Sequence, residues 1–268
     1  MTNPIHFTTA EEAVKVIKSG DHVHLSSVAS APQCLINAMC KRGEAGELKD
    51  VHVHHLHTEG PAPYADPKFE GVFQLDSFFV IAVVNKYVPR AFGQAMIHSS
   101  KIDFFVQDDT PLIEAKFSEP NEVETAIGKH CAALIEDGAT LQMGIGAIPN
   151  AVLSQLGGHK NLGIHTEMFA DGVLPLVEKG VINGEAKKTD PGKMVSTFLM
   201  GSKAVYDFID DNPGVLMMDV GYTNDPYIIS QNDRFVAINS ALQVDLTGQV
   251  CADSLGTKFW SGVGGQID

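Results

Sequence analysis

Three stretches of the chain hold residues whose types and spacing could do chemistry. The first is NLGIHTEMFADG, Asn161 to Gly172, where a short apolar run meets His165, Thr166 and Glu167. Its pattern reads as a strand over Leu162 to His165 that releases Glu167 into a loop. Such a glutamate at a strand end is usually a solvated acid, and its local pattern alone says no more. The second is LQMGIGAIPNAV, Leu141 to Val152, with glycines directly after a strand and before a helix. Glycine lets a ligand approach the backbone, and a helix N-terminus adds unpaired N–H donors. The spacing is G-x-G-x-x-N, without the third glycine of the dinucleotide fingerprint, so a nicotinamide-dependent hydride transfer is a poor fit. The third is SGVGGQID, where Gly262, Gly264 and Gly265 leave N–H groups uncovered, as suits an oxyanion or thioester oxygen. A simple tight turn and a flexible tail are the plain alternatives for the second and third. A further patch, INSALQVDL, carries Asn239, Gln243 and Asp245 as structural polar groups or as pocket wall.

The histidines of VHVHHLH, Val51 to His57, invite a metal reading. Strand alternation puts His52 and His54 on one face and His55 and His57 on the other, so they cannot converge on one ion. No metal is expected. Cys34, Cys40, Cys131 and Cys251 are scattered with no C-x-x-C pair, which suits free thiols in a reducing cytosol.

The bulk numbers bound the rest. A chain of 268 residues has room for about two domains, and 44% hydrophobic with 19% charged residues is ordinary globular composition. A net charge of −14 argues against nucleic acid as a partner, though local N–H nests can still hold small anions. No apolar run reaches the ~18 residues of a membrane helix. The N-terminus, MTNPIHFTTAEEAV, lacks a signal peptide's basic start and apolar core. The expectation is a cytoplasmic protein with no membrane partner.

The elements alternate. Thr9 to Glu12 reads as a capping box before a helix, His22 to Ser26 as a strand, Pro32 to Arg42 as a helix and Val51 to His57 as a strand. FFVIAVV, Phe78 to Val84, reads either as a buried parallel strand or as two strand ends joined after a loss. From Pro120 the rhythm restarts: a helix to Ile135, a strand at Thr140 to Met143, a helix over Asn150 to Leu156, and the strand before Glu167. Later strands are expected at Lys193 to Leu199, Val215 to Met218 and Phe235 to Asn239, with a helix over Ser202 to Asp210. This βαβ pattern predicts an α/β fold with largely parallel sheets.

The particular residues go further than the pattern. LQMGIGAIPNAVLSQLGGHKNLGIHTEMFADGV, INSALQVDLTGQVCADSLGTK and SGVGGQID, with SGDHVHLSS, VHVHHLHTEGPAPY and VNKYVPRAFG, closely resemble the acetyl-CoA hydrolase/transferase family, nearest its 4-hydroxybutyrate and butyrate CoA-transferase group. The resemblance covers almost the whole chain. It implies two open, mostly parallel-sheet α/β domains, over residues 1–118 and 119–268, with an active site between them. It also implies that both domains are incomplete. Family members carry an extra block between the positions matching Phe79-Val80 and Ala82-Val83, and they continue beyond the position matching Asp268. Apolar surface left around the gap is expected to favour association of copies, including a homo-oligomer.

Residue by residue, the resemblance makes Glu167 the catalytic glutamate of the family's GIH-S/T-E motif. It makes Gly144, Ile145, Gly146, Ala147 and Ile148 the CoA-contacting turn, with Asn239 and Gly262 as further CoA contacts. Gly264 and Gly265 are candidates for an oxyanion loop. The implied reaction moves CoA from an acyl-CoA to a short-chain carboxylate (acetate, butyrate or 4-hydroxybutyrate) through a glutamyl-CoA thioester, with no metal and no permanently bound cofactor. An acetyl-CoA hydrolase and an inactive remnant with at most a binding role are the alternatives.

Overall fold

The computed structural model describes residues 7–26, 31–54, 62–74, 81–115 and 117–259. The strands in chain order are β1 (Phe7–Thr8), β2 (His22–His24), β3 (Val51–His54), β4 (Phe73–Gln74), β5 (Ile81–Val84), β6 (Phe92–Gly93), β7 (Phe104–Gln107) and β8 (Thr140–Met143). They continue as β9 (Gly163–Phe169), β10 (Met194–Leu199), β11 (Val215–Met217), β12 (Phe235–Ile238), β13 (Gln243–Val244), β14 (Val250–Cys251), β15 (Ser254–Leu255) and β16 (Lys258–Phe259). The α-helices are α1 (Ala10–Ala13), α2 (Gln33–Glu44), α3 (Glu122–Ala132), α4 (Ala147–Gln155), α5 (Leu174–Glu178), α6 (Lys203–Ile209), α7 (Val220–Thr223) and α8 (Pro226–Ser230). Among the described residues no helix is long and apolar enough to cross a membrane.

The chain divides into two compact units. The first comprises Met1–Pro89 and Ile97–Glu114, the second Arg90–Met96 and Ala115–Asp268. The second unit takes its early segment because β6 adds to the edge of that unit's sheet beside β11.

In the first unit two three-stranded parallel sheets run β1-β7-β5 and β2-β3-β4. The Thr9 hydroxyl accepts the Glu12 N–H and starts α1, the forward half of a capping box, while the Glu12 carboxylate turns to Lys15 at 2.6 Å. The amphipathic α2 buries Leu35, Ile36, Met39 and Cys40 with Val14, Ile17, Val51 and Val53. It runs through Gly43 and stops where Gly46 turns to positive φ, later than its glycines suggest. Of the FFVIAVV run, Ile81–Val84 forms a strand beside β7, and Phe78 to Val80 lie outside the described residues.

The register His22↔His52 and His24↔His54 gathers histidines from two strands on one sheet face, with the rings of His22 and His52 stacked 4.5 Å apart. Periodicity within one strand could not pair β2 with β3. Among the described residues no group of three or more ligating side chains is arranged to hold a metal ion. His55 and His57 lie outside the described residues. The four cysteines are free thiols, and burial raises the Cys34 thiol to about 12 and the Cys40 thiol to about 11.

The second unit is built on a six-stranded, wholly parallel sheet of order β12-β8-β9-β10-β11-β6. Asn121 and Glu124 close a full capping box at the start of α3, and Ser202 caps α6. From β8 the sheet grows outward through β9, β10 and β11, and then β12 returns to the other side of β8. Right-handed crossovers in opposite directions put their helices on opposite faces, so the carboxyl ends of β8 and β12 flank a topological switch point, where open parallel sheets bind ligands.

The helix after β8 is fixed by a close approach. A Cβ on Gly128 of α3 would stand 2.6 Å from the Ala151 carbonyl carbon and 2.7 Å from its oxygen in α4. Backbone cannot yield as a flexible side chain can. Gly128→Ala is expected to cost about 1–3 kcal/mol by overpacking, which outweighs the ~1 kcal/mol that alanine brings to a helix interior. Denaturant unfolding of the variant checks this, and an unchanged or higher midpoint contradicts it.

Candidate active site

β9 runs from Gly163 to Phe169, so Glu167 is the fifth of seven strand residues rather than the first residue of a loop. The pattern Leu162 to Ile164 ends early because His165 and Thr166 are polar, yet both are 1% exposed. Period two places Gly163, His165 and Glu167 on one face and Ile164, Thr166 and Met168 on the other. β10 pairs with β9 from His165 to Phe169, whereas β8 pairs only with Gly163 and Ile164. Beyond that point the Thr166 hydroxyl accepts the Met143 N–H at 3.0 Å, and its own O–H lies within reach of Met143 O and Met168 O. The two strands are thus stitched where their ladder stops. β8 then parts from β9 while β10 still holds it.

The glycine turn starts there. Gly144 N–H donates to Ile238 O at 2.9 Å, and a Cβ at Gly144 would lie 3.3 Å from that oxygen. Gly146 has φ 109 and ψ −170, a conformation that a side chain disfavours, and no side chain caps α4 at Gly146. The first-turn donors are the N–H groups of Ala147 and Ile148, since Pro149 has none. Ile145 is exposed. Asn239, just after β12, exchanges amide bonds with Gln142: its Nδ2 donates to Gln142 Oε1 at 3.1 Å, and Gln142 Nε2 donates back at 3.4 Å. The structure therefore brings Gly144–Ile148, Asn239 and Glu167 to the carboxyl ends of the adjacent strands β8, β12 and β9. Gly262, Gly264 and Gly265 lie outside the described residues.

Consecutive residues at the end of α7 cover the other part of the glutamate's face. Tyr222 donates to Asp190 Oδ2 at 2.7 Å, Thr223 O meets His165 Nε2 at 2.9 Å, and Asn224 Nδ2 donates to Glu167 Oε2 at 2.9 Å. A carbonyl accepts only from N–H, so His165 carries its proton on Nε2. Burial and the nearby Lys187 hold the imidazole below the usual histidine range, hence neutral. Glu167 is half-buried, and its backbone carbonyl accepts from Ser196 Oγ at 3.0 Å. Asn224 and Lys187 escaped the sequence reading. Asn224 follows a short helix of no marked pattern, and a lysine reads as surface.

Lys187 is only 4% exposed, and its ammonium donates to Ile164 O at 3.0 Å and Lys193 O at 2.8 Å. Burial pushes its pKa down to about 8, with Asp190 pulling the other way.

The open, all-parallel sheet is the fold of a solved CoA-transferase. The 4-hydroxybutyrate CoA-transferase of Porphyromonas gingivalis superposes with a TM-score of 0.86 at 36% identity, covering 91% of this chain and 75% of that one. The N-terminal domain of the acetyl-CoA hydrolase/transferase family matches residues 4–80, and its C-terminal domain matches residues 201–268. The 4-hydroxybutyrate coenzyme A transferase of Clostridium kluyveri is 57% identical over 189 residues, 70% of this chain and 44% of that protein. The succinyl-CoA:acetate/propanoyl-CoA:succinate CoA transferase of Fasciola hepatica is 37% identical over 331 positions, 97% of this chain and 69% of its own length. The chain belongs to the acetyl-CoA hydrolase/transferase family. It spans less than half of the Clostridium relative. The Fasciola alignment is longer than the 268 residues of this chain, so that relative carries residues with no counterpart here, and the N-terminal family match stops at residue 80.

The lysine gives a test with a definite sign. An unfolded lysine titrates near ~10.4, so between about pH 8 and that value the unfolded chain binds more protons and stability rises with pH. The cost of burying the charge is in full force below about pH 8. Wild type is expected to gain about 3 kcal/mol relative to Lys187→Met between pH 7 and 10.5. Paired urea titrations measure this, and a pH-independent difference contradicts it.

Proposed function

We propose that the chain carries the catalytic half-site of a CoA-transferase that moves CoA from an acyl-CoA to a short-chain carboxylate, with Glu167 as the covalent nucleophile. The observation that carries the reading is the placement of Glu167. Its carboxylate is half-buried beside the switch point, with Oε2 bound to Asn224 and Oε1 free of hydrogen bonds among the described residues. A partly desolvated carboxylate attacks a thioester better than one in water.

Glu167 Oε1 bonds to the thioester carbonyl carbon, and the tetrahedral oxyanion collapses with loss of CoA thiolate to an acyl-glutamyl anhydride. The thiolate then attacks the glutamyl carbonyl carbon and expels the donor's carboxylate, leaving glutamyl-CoA. An acceptor carboxylate repeats the steps in reverse and leaves as the new acyl-CoA. Protons balance throughout, because carboxylate and thiolate exchange as anions. The second addition develops charge on a Glu167 oxygen, where Asn224 Nδ2 is already bonded. One such donor is worth roughly 3–4 kcal/mol. The N–H groups of Ala147 and Ile148 and the Asn239 amide are the groups we assign to CoA. Tethering the long CoA arm there turns the chemical steps into reactions of one assembled unit. The residues of the cycle are the side chain and the substrates themselves, so the reading calls for no resident cofactor.

Hydrolysis is the second reading, favoured by the family's own description as hydrolase/transferase. It shares the adduct and differs in letting water take the acyl or glutamyl carbonyl.

Incubation with acetyl-CoA followed by intact-mass and peptide analysis is expected to find a CoA adduct on Glu167. Glu167→Gln is expected to abolish it, and Asn224→Ala to slow its formation by about 10²–10³-fold. Added butyrate then separates transfer from hydrolysis, since only transfer yields butyryl-CoA. Binding of CoA with no adduct would sink the catalytic reading and leave a binding remnant.

A further inference from the structure

Behind Glu167, on the same face of β9, lie two buried groups that the reaction above does not use. Gly163 has no side chain, and the stem of Lys187 fills the space: a Cβ there would stand 2.5 Å from Lys187 Cγ and 2.8 Å from Cδ. The face therefore reads Lys187 over Gly163, then His165, then Glu167, at steps of roughly 6.6 Å. We propose that Lys187 is a positioning residue for Glu167: it anchors β9 through Ile164 O and keeps His165 neutral, so that the carboxylate one step along the face meets a neutral amide and no cation. The proposal rests on the reading of Glu167 as the nucleophile.

The geometry leaves a second proton on His165 nowhere to go. Nε2 already carries one toward Thr223 O, and Nδ1 is buried with no hydrogen-bond partner among the described residues. The titratable groups around the ring are Lys187 and Asp190 from the segment after α5, Tyr222 from α7 and Glu167 on β9 itself. β10 sets the uncharged Val195 beside it, the ring of Phe235 from β12 lies 6.1 Å away, and β8 carries no titratable side chain. Burial, and after it Lys187, oppose an imidazolium, while the Thr223 carbonyl and Asp190 favour it. Tyr222 is held protonated, its pKa raised to about 12 by burial and by its bond to Asp190. Since Lys187 itself titrates near 8, its charge is present throughout the range in which an ordinary histidine takes up a proton, near ~6.5. Above that range His165 is neutral without help. An imidazolium one step from Glu167 would stabilise the carboxylate anion and blunt its attack.

The test is heteronuclear NMR of the His165 ring across about pH 5.5 to 8, together with single-turnover adduct formation from acetyl-CoA over the same range. In wild type the ring is expected to stay neutral with the proton on Nε2. In Lys187→Met it is expected to titrate higher than in wild type, with the adduct rate about tenfold down near pH 6 and largely restored near pH 8. Lys187→Gln keeps an N–H donor for the two carbonyls without the charge and is expected to reproduce the pH-dependent loss. An equal loss at every pH with His165 unmoved would make Lys187 a purely structural strut and overturn the proposal. If neither variant folds, the wild-type titration decides, because a charged His165 near pH 6.5 is incompatible with it. The two readings fail separately. A charged His165 with a normal adduct removes Lys187 from the mechanism, whereas a neutral His165 with no adduct removes Glu167 as nucleophile and the positioning role with it.

Discussion

β9 must carry three consecutive polar side chains through the body of a parallel sheet, and the candidate site follows from how each is satisfied. A buried polar group costs several kcal/mol unless it is hydrogen-bonded. Thr166, on one face, spends its hydroxyl on the backbone of β8 and of its own strand. His165, on the other, is met by the carbonyl of Thr223 at the end of α7. Glu167 is met by the next residue, Asn224. One short helix thereby meets two of the three, and His165 Nδ1 is left buried without a partner among the described residues. Tyr222 ties that helix to Asp190, in the same segment that threads Lys187 beneath the strand.

The sheet order supplies the space that this arrangement needs. Because β12 returns to the far side of β8, the chain leaving β8 has no crossover above it on one side, and the glycine turn opens into that gap. Gly144 and Gly146 serve different ends. Gly144 permits close approach to Ile238 O, while Gly146 supplies the positive φ that launches α4. The Gly128 contact then holds α4 against α3, so the first-turn N–H groups of α4 sit at a fixed height over the sheet edge.

Much of this was legible in the sequence. The alternation of elements, the helix that starts after Pro120 and the strands at Thr140 to Met143, Lys193 to Leu199 and Phe235 to Asn239 follow from local periodicity and turn chemistry, which act within a few residues. The true end of β9 did not. His165 and Thr166 break the apolar run, and only partners from β8 and α7 make them affordable inside a sheet. The face shared by His22, His24, His52 and His54 was hidden for a similar reason, since it depends on the pairing of β2 with β3.

The sequence by itself determined the element order, the glycine turn before α4 and, through its motifs, which glutamate stands out. Tertiary structure alone decided that Glu167 lies within a strand, that Asn224 holds one of its oxygens, and that a buried lysine lies beneath it. The physical reason is distance along the chain. Asn224 and Lys187 are brought to β9 by the packing of the polypeptide around the sheet, and no local pattern records which backbone carbonyl a lysine will find.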